Sequence, residues 1–131
     1  PSTSSAASDV YKRQPIYRLH NNKWSIIDEI KINQDFKVVD AEMIDDGNLI
    51  TLERKFSFYD GFKIRLRRII IEENNIINSE ILLESLPWEY YNFEGLSKWK
   101  GNDGQIYLTL ISDNQFSPLL ETEIREFILK K

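Results

Sequence analysis

Two short segments in the last third of the sequence contain residue types that can bind a cation and support acid–base chemistry. Asn92 and Glu94 lie in NFEG, and Asp113 lies in SDNQF. Ca²⁺ takes about six to eight oxygen ligands in irregular geometry, and a bound cation polarises an ester carbonyl or phosphoryl oxygen and acidifies a water. We therefore predict Glu94 and Asp113 as catalytic carboxylates, and Glu94, Asp113 and Asn92 as ligands of a Ca²⁺ cofactor. The alternative is structural, because such side chains often accept hydrogen bonds from loop amides.

Arg54, in the segment LERKF, is the predicted substrate-binding residue. Its planar guanidinium matches a phosphate or carboxylate group on a substrate. The alternative is an ion pair with Glu53, with Glu42 or with an acidic residue of a neighbouring repeat. Arg65, Arg67 and Arg68 form a local basic cluster. Arg65 and Arg67 share one face of a predicted strand, and we expect that face to be solvated, with contact to a phosphate as the alternative.

The composition excludes several classes of site. The chain has 131 residues, no cysteine and a single histidine, His20, which is predicted in an exposed turn. Disulfides, thiolate zinc sites and cysteine nucleophiles are therefore excluded. A single histidine also disfavours His-rich metal sites and Ser-His-Asp catalysis. The net charge of −4 argues against a nucleic-acid partner. No stretch approaches the roughly 18 unbroken apolar residues of a membrane span, so no membrane span is expected.

Short apolar runs separated by turn residues predict an all-β fold. Hairpin turns are predicted at residues 20–23, 45–48 and 101–104, where Asn, Asp and Gly favour positive φ angles. The last run, 122–129, is predicted as a strand, with a helix as the alternative. The predicted strands span residues 16–19, 24–32, 38–44, 49–58, 63–73, 76–83, 91–100, 105–112 and 122–129.

Pairing across the last of these turns places the candidate carboxylates. It sets Asn92 opposite Asp113 and Glu94 opposite Ile111, and strict alternation puts Leu96 on the same face. We therefore expect the candidate residues to lie together at the end of the hairpin that is remote from its turn.

The strands form a repeat. DAEMI followed by LERKF makes one copy, NFEGL followed by SDNQF makes another, and Glu42 and Glu94 lie 52 positions apart. In the first copy, pairing across the turn sets Asp40 opposite Glu53. A period near 50 residues with about four strands is typical of propeller blades. The predicted architecture is a partial β-propeller of about two blades of four-stranded antiparallel sheets.

Strand counting divides the chain into three sheets. The sequence supplies the last two strands of one blade, a full blade over residues 38–84 and three strands of a final blade, so the missing blades are expected elsewhere in a longer full-length chain. Residues 1–14 (PSTSSAASDVYKRQ) are rich in Ser and Ala, and we expect a non-native or disordered leader that resembles a translated adapter scar. Residues 15–131 are then the C-terminal part of the propeller domain.

Several segments resemble the phytase-like family, which is described by its esterase-like activity. They are DAEMIDDGNLITLERKF, IRLRRI, NFEGLSKW and GQIYLTLISDNQFSPLLETEIREFIL. Members typically have N-F-E-G and S-D-D-N-F; here Asn114 replaces the second aspartate and Gln115 follows it, which removes one potential carboxylate ligand. The resemblance covers most of residues 38–129. It implies a β-propeller that hydrolyses carboxylic or phosphoric esters, a small-molecule ester or phosphoester as its partner, and a periplasmic or secreted location.

Two other functions remain open from the sequence. One is a non-catalytic β-propeller that binds a ligand or a partner in the cell envelope. The other is a lactonase of the gluconolactonase type, which also begins a blade with Glu-Gly. Ser112 is not predicted as a nucleophile, since no Gly-x-Ser-x-Gly turn surrounds it. Trp88, Tyr90 and Tyr91 are predicted to pack between blades, with a ligand pocket as the alternative.

Overall fold

A computed structural model describes residues 12–33, 35–44, 46–113 and 121–130. Over these residues the protein forms antiparallel β-strands joined by short turns, as the sequence predicts. The strands are β1 (Lys12–His20), β2 (Lys23–Ile32), β3 (Lys37–Met43), β4 (Leu49–Ser57), β5 (Gly61–Glu72), β6 (Asn75–Glu84), β7 (Phe93–Lys100), β8 (Ile106–Ser112) and β9 (Ile124–Leu129). The last segment forms the predicted strand, β9, and not the helix that was its alternative. The described part contains no helix that could cross a membrane.

The strands form three sheets. Sheet 1 is β1-β2, sheet 2 is β3-β4-β5-β6, and sheet 3 is β7-β8-β9. This division into two, four and three strands is the one that strand counting predicts, and the all-β architecture is that of partial propeller-like blades. Strand β1 includes Lys12, Arg13 and Gln14 from the segment 1–14, and these residues pair with the end of β2.

The turns explain why adjacent strands form hairpins. Asn21 and Asn22 both have positive φ angles, 50° and 60°, and form the two-residue loop between β1 and β2. Such angles give a turn whose twist matches that of the flanking strands. Gly47 and Gly104 have φ angles of 85° and 80° in the other two predicted turns. Residue 45 lies outside the described residues.

The pairing of two strands, β3 and β7, departs from the predicted register, and each of them contains a β-bulge. In β7, Phe93 pairs with Ser112 and Gly95 pairs with Ile111, so Glu94 is the extra residue of a bulge. The predicted pairing of Glu94 with Ile111 is therefore wrong. One extra residue also reverses the alternation beyond it, and so Leu96 joins Phe93 in the core instead of lying on the polar face.

The second bulge lies in β3. Val38 pairs with Glu53 and Asp40 pairs with Leu52, with Val39 between them. The predicted pairing of Asp40 with Glu53 is therefore wrong. The Ile44 amide donates to the Asn48 carbonyl, so the turn closes one residue earlier on β3 than the predicted pairing of residues 45 and 48, and every partner up to Asp40 shifts by one position. As a result, Asp40 and Glu53 are separated, and each has a different structural role.

An apolar core fills the space between sheets 2 and 3. Because side chains alternate along a strand, one face of β4 and β5 supplies half of this core and sheet 3 supplies the other half. Each residue is at most 6% exposed. The residues are Ile44, Ile50, Leu52, Ile64, Leu66, Phe93, Leu96, Leu108 and Leu110.

The interface between sheets 1 and 2 is polar as well as apolar. Ile30 and Ile32 of β2 pack with Phe36 and Ile69. Beside them lies an ionic cluster, which consists of Glu53, Arg65 and Arg67. Arg65 is 2% exposed and Arg67 is 8% exposed, so the predicted solvated face is wrong. The opposite face of sheet 2 already packs on sheet 3, and the packing of sheet 1 on this face buries both arginines.

Candidate functional site

The predicted substrate-binding arginine and two of the predicted ligands meet where sheets 2 and 3 join. Arg54 lies near the end of β4, Asn92 directly precedes β7, and Glu94 is the bulged residue of β7. Arg54 Nη1 donates hydrogen bonds to Asn92 Oδ1 and to Glu94 Oε1, the second at 2.5 Å. Asn92 Nδ2 also donates to Glu94 Oε1 at 3.4 Å. The site therefore joins two sheets through one guanidinium nitrogen.

Asp113 lies beside this group through the backbone. The Asp113 amide donates to the Asn92 carbonyl oxygen at 2.8 Å, and the predicted apposition of these two residues is confirmed. We call Arg54, Asn92, Glu94 and Asp113 the Arg54 site. The rest of the SDNQF segment, residues 114–116, lies outside the described residues.

The loop over residues 85–92 positions Asn92. Ser85 Oγ accepts a hydrogen bond from the Ile64 amide at 2.9 Å, and the Ser85 amide donates to the Ile64 carbonyl at 3.0 Å. Further along, the Trp88 amide donates to the Asp60 carbonyl and Trp88 Nε1 donates to the Tyr59 carbonyl, both at 2.8 Å. These bonds fix the loop to the β4–β5 hairpin, which carries Arg54.

The three aromatic residues of this loop divide into two groups. Tyr90 and Tyr91 pack against the apolar core, as predicted. Trp88 is 67% exposed and covers Gly61. A Cβ at Gly61 would lie 2.5 Å from the Trp88 ring, so glycine is needed there for this close approach as well as for its φ of 65°.

Arg54 has donor groups left for a ligand. Both hydrogen bonds described above use Nη1, and within the described ranges Nε and Nη2 make none. The side chain is 24% exposed and that of Glu94 is 43% exposed. The Phe62 ring centroid lies 5.9 Å from Arg54 Cζ, which gives the guanidinium an aromatic neighbour. A planar anion can therefore approach the two remaining donor groups.

The donor set fits a calcium ion in type, with one constraint. Asn92 and Glu94 supply the amide and carboxylate oxygens that Ca²⁺ accepts. However, Asn92 Oδ1 and Glu94 Oε1 already accept hydrogen bonds from Arg54, so a bound cation would compete with the guanidinium for these oxygens. The described residues contain no cluster of three or more His, Cys, Asp or Glu side chains suited to a metal.

Two residues near the site have roles that the sequence did not reveal. Asp40 Oδ2 accepts a hydrogen bond from the Leu96 amide at 2.7 Å, which ties β3 to β7. Ser112 Oγ accepts from the Glu123 amide at 2.7 Å and donates to the Glu121 carbonyl at 3.2 Å. The Ser112 hydroxyl therefore holds the start of the last strand, which agrees with its exclusion as a nucleophile.

The fold and the site define an all-β protein with propeller-like blades and a polar site where two sheets meet. The model of the phytase-like family, described as esterase-like activity of phytase, matches residues 5–116. The chain belongs to this family, and the membership supports a hydrolase-like function. No curated protein and no solved structure matches the chain.

Proposed function

We propose that the protein hydrolyses a carboxylic or phosphoric ester at the Arg54 site. The observation that carries the proposal is the convergence of Arg54 from sheet 2 with Asn92 and Glu94 from sheet 3. Family membership supports the class of reaction. In this proposal Arg54 binds an anionic group of the substrate, and Glu94 and Asp113 are the catalytic carboxylates.

The electrostatics of the site support binding of an anion by Arg54. The hydrogen bonds from Nη1 to Asn92 and Glu94 fix the plane of the guanidinium. A positioned planar donor binds phosphate or carboxylate more strongly than a freely rotating one, because less conformational entropy is lost. The exposed Glu94 carboxylate lies beside the bound group, where it can accept a proton from an attacking water.

A calcium ion is part of the proposal. Asn92, Glu94 and Asp113 would hold it, and the ion would polarise the ester oxygen and acidify the attacking water. Glu94 would then be shared between the ion and Arg54. The hydrogen bonds that Arg54 donates would weaken, and its guanidinium would have more donor capacity for the substrate.

The test is turnover of a panel of aryl esters and phosphoesters by the full-length protein, with calcium and with EDTA. Glu94→Gln and Asp113→Asn are each expected to lower kcat by about 100-fold or more. Arg54→Gln is expected to raise KM for anionic substrates in particular. Glu29→Gln, on sheet 1, is the matched control and should keep full activity. Unchanged turnover in Glu94→Gln and Asp113→Asn would overturn the assignment.

A specific observation favours a second function, a non-catalytic β-propeller that binds a ligand or a partner in the cell envelope. Arg54, Asn92 and Glu94 are bonded to one another, as expected of a structural tie between blades. In that case no substrate of the panel is turned over above buffer. Glu94→Gln would then lower the unfolding temperature and change nothing else.

We also propose that the missing blades of the full-length chain complete the ring around this site, and that the protein is periplasmic or secreted. The partial set of blades and the family membership support these two statements. Fractionation of the producing cells tests the location, and recovery of the full-length protein in the cytoplasm alone would contradict it.

A further inference from the structure

A concave site, separate from the Arg54 site, lies between sheets 2 and 3 at the end of the sheets that is remote from Arg54. We call it the Arg68 cleft. Its volume is about 1050 Å³, which is ample for a small organic molecule. The β3–β4 and β7–β8 turns form its mouth. It is lined by three apolar residues and three cationic residues, which are Ile44, Ile106 and Leu129, and Arg68, Lys100 and Lys130.

Arg68 has a hydrogen-bond donor that the described residues leave unused. Its Nη2 donates to the Lys130 carbonyl at 3.3 Å, and its Nη1 lies 3.6 Å from Glu80 Oε2. Its Nε is buried and, within the described part of the chain, has no hydrogen-bond partner. A buried donor without a partner raises the free energy of the folded state, and an acceptor on a bound molecule removes that cost.

The acidic residues of the cleft are already engaged by their own turns. Asp46 Oδ1 accepts a hydrogen bond from the Asn48 amide at 3.0 Å. Asp103 accepts from the Gln105 amide at 3.0 Å and from the Tyr107 hydroxyl at 2.8 Å. These bonds, the Gln105 amide first, lower the pKa of Asp103. The two carboxylates therefore stabilise the turns and offset two of the three cationic charges of the lining, so the unused donor of Arg68, and not an excess of charge, is the feature that selects an anion.

We propose that the Arg68 cleft binds a small-molecule anion with an apolar body. The carboxylate or phosphate head accepts a hydrogen bond from Arg68, and the body packs on Ile44, Ile106 and Leu129. This combination of apolar walls and one placed charged donor is the usual make-up of a ligand site. Both walls belong to the described sheets, so the cleft does not depend on further blades. The proposal is independent of the proposed function, whose site lies at the other end of β4.

Isothermal titration of the full-length protein tests the proposal with three probes. They are 4-phenylbutyrate, benzylphosphonate, which has no ester bond to hydrolyse, and the uncharged 4-phenylbutanol. We expect the two anions to bind and the alcohol to bind at least about tenfold more weakly, because it brings no charge to Arg68. The ratio of the two anion affinities tells whether the head group is a carboxylate or a phosphate. Equal binding of the alcohol would overturn the proposal.

Variants locate the binding. Arg68→Met keeps most of the apolar stem and is expected to weaken anion binding at least about tenfold. Lys130→Met removes a second charge, and the backbone carbonyl that Arg68 uses remains. Arg18→Met, on sheet 1, is the matched control and should bind like the wild type.

Two further comparisons complete the test. If Arg68→Met does not fold, Arg68→Lys and Lys130→Met test the proposal instead. Both variants keep a cation at position 68, and both should weaken anion binding. Wild-type affinity in both would overturn the proposal. Arg54→Gln should keep the anion binding that Arg68→Met loses, and the opposite pattern would place the probes at the Arg54 site and overturn the proposal. Failure of ester turnover with intact binding would therefore remove only the proposed function, and the reverse result would remove only this inference.

Discussion

The buried carboxylate of Glu53 forms ion pairs with two buried guanidinium groups, and Glu53→Gln tests how much these pairs contribute to stability. Glu53 Oε1 accepts hydrogen bonds from Arg65 Nε at 3.0 Å and from Arg65 Nη2 at 2.6 Å. Its Oε2 accepts from Arg67 Nε at 2.6 Å and from Thr51 Oγ1 at 2.8 Å. The change to glutamine keeps the volume of the side chain and removes the charge.

The expected loss follows from the burial of all three charged side chains. The Glu53 side chain is 0% exposed, that of Arg65 is 2% and that of Arg67 is 10%. Removal of one partner of a buried ion pair typically costs about 3–5 kcal/mol, because an uncompensated charge remains away from water. With an unfolding entropy near 2.1 cal/mol/K per residue over 131 residues, or about 0.28 kcal/mol/K, the unfolding temperature should fall by about 11–18 °C.

The assay is urea and thermal unfolding of the purified protein, followed by circular dichroism. Glu29→Gln is the matched control, since Glu29 pairs with Arg13 at 3.4 Å with side chains 42% and 62% exposed. Exposed pairs contribute about 0–1 kcal/mol, so this variant should melt close to the wild type. If Glu53→Gln lost no more stability than Glu29→Gln, the reasoning about the ionic cluster would be refuted.

Two further predictions concern a carboxylate that links two sheets and a pair of glycines. The Ile76 amide donates to Asp28 Oδ2 at 2.7 Å, and this bond is the main cause of the lowered pKa of Asp28. The stabilisation of the folded state by the ionised Asp28 is therefore present above the usual pKa of 3.8, and it is lost as pH falls through the lower folded-state pKa. The gap in melting temperature between the wild type and Asp28→Asn should narrow below about pH 4, whereas a constant gap would contradict this. Gly61→Ala should destabilise the protein by about 1–3 kcal/mol more than Gly47→Ala. Both glycines have positive φ, but an added Cβ meets the Trp88 ring only at Gly61. Equal losses in urea unfolding would mean that the ring moves aside without cost.

The sequence predicted the strand grouping because the turns are strong local signals. The two asparagines at 21 and 22 and the glycines at 47 and 104 adopt the positive φ angles expected of hairpin turns. Between turns, apolar alternation identified the strands. Both kinds of signal depend on a few neighbouring residues, so the division into sheets of two, four and three strands could be derived without tertiary information.

The bulges and the ionic cluster were not predicted, for two physical reasons. A bulge adds one residue without changing residue types, and the local signal in NFEG is Gly95, because an isolated glycine inside a strand often marks a bulge but does not fix its position. The burial of Arg65 and Arg67 depends on sheet 1, which packs on a face that reads as solvent-exposed. One signal was available, since pairing outward from the β4–β5 turn sets Glu53 directly opposite Arg65.

The sequence predicted which residues are candidates for the Arg54 site, but it did not predict the hydrogen bonds between them. NFEG and LERKF identified Asn92, Glu94 and Arg54, yet 38 positions separate Arg54 from Asn92 along the chain. Their contact depends on how sheet 3 packs on sheet 2 and on the loop that Ser85 and Trp88 fix. Local patterns carry no information on this packing, so the pairing of Arg54 with an acid of the neighbouring sheet remained one alternative among several.

The alternation along β4 gives sheet 2 two different faces. Leu52 faces the apolar core shared with sheet 3, and Arg54 follows it on that face, at the site. Thr51 and Glu53 face sheet 1 and the ionic cluster. A slip of one residue in β4 would bury Glu53 in the apolar core and move Leu52 to the charged interface, and both changes are costly. The buried charge therefore disfavours slipped registers, and the register that it favours is the one that brings Arg54 to Glu94.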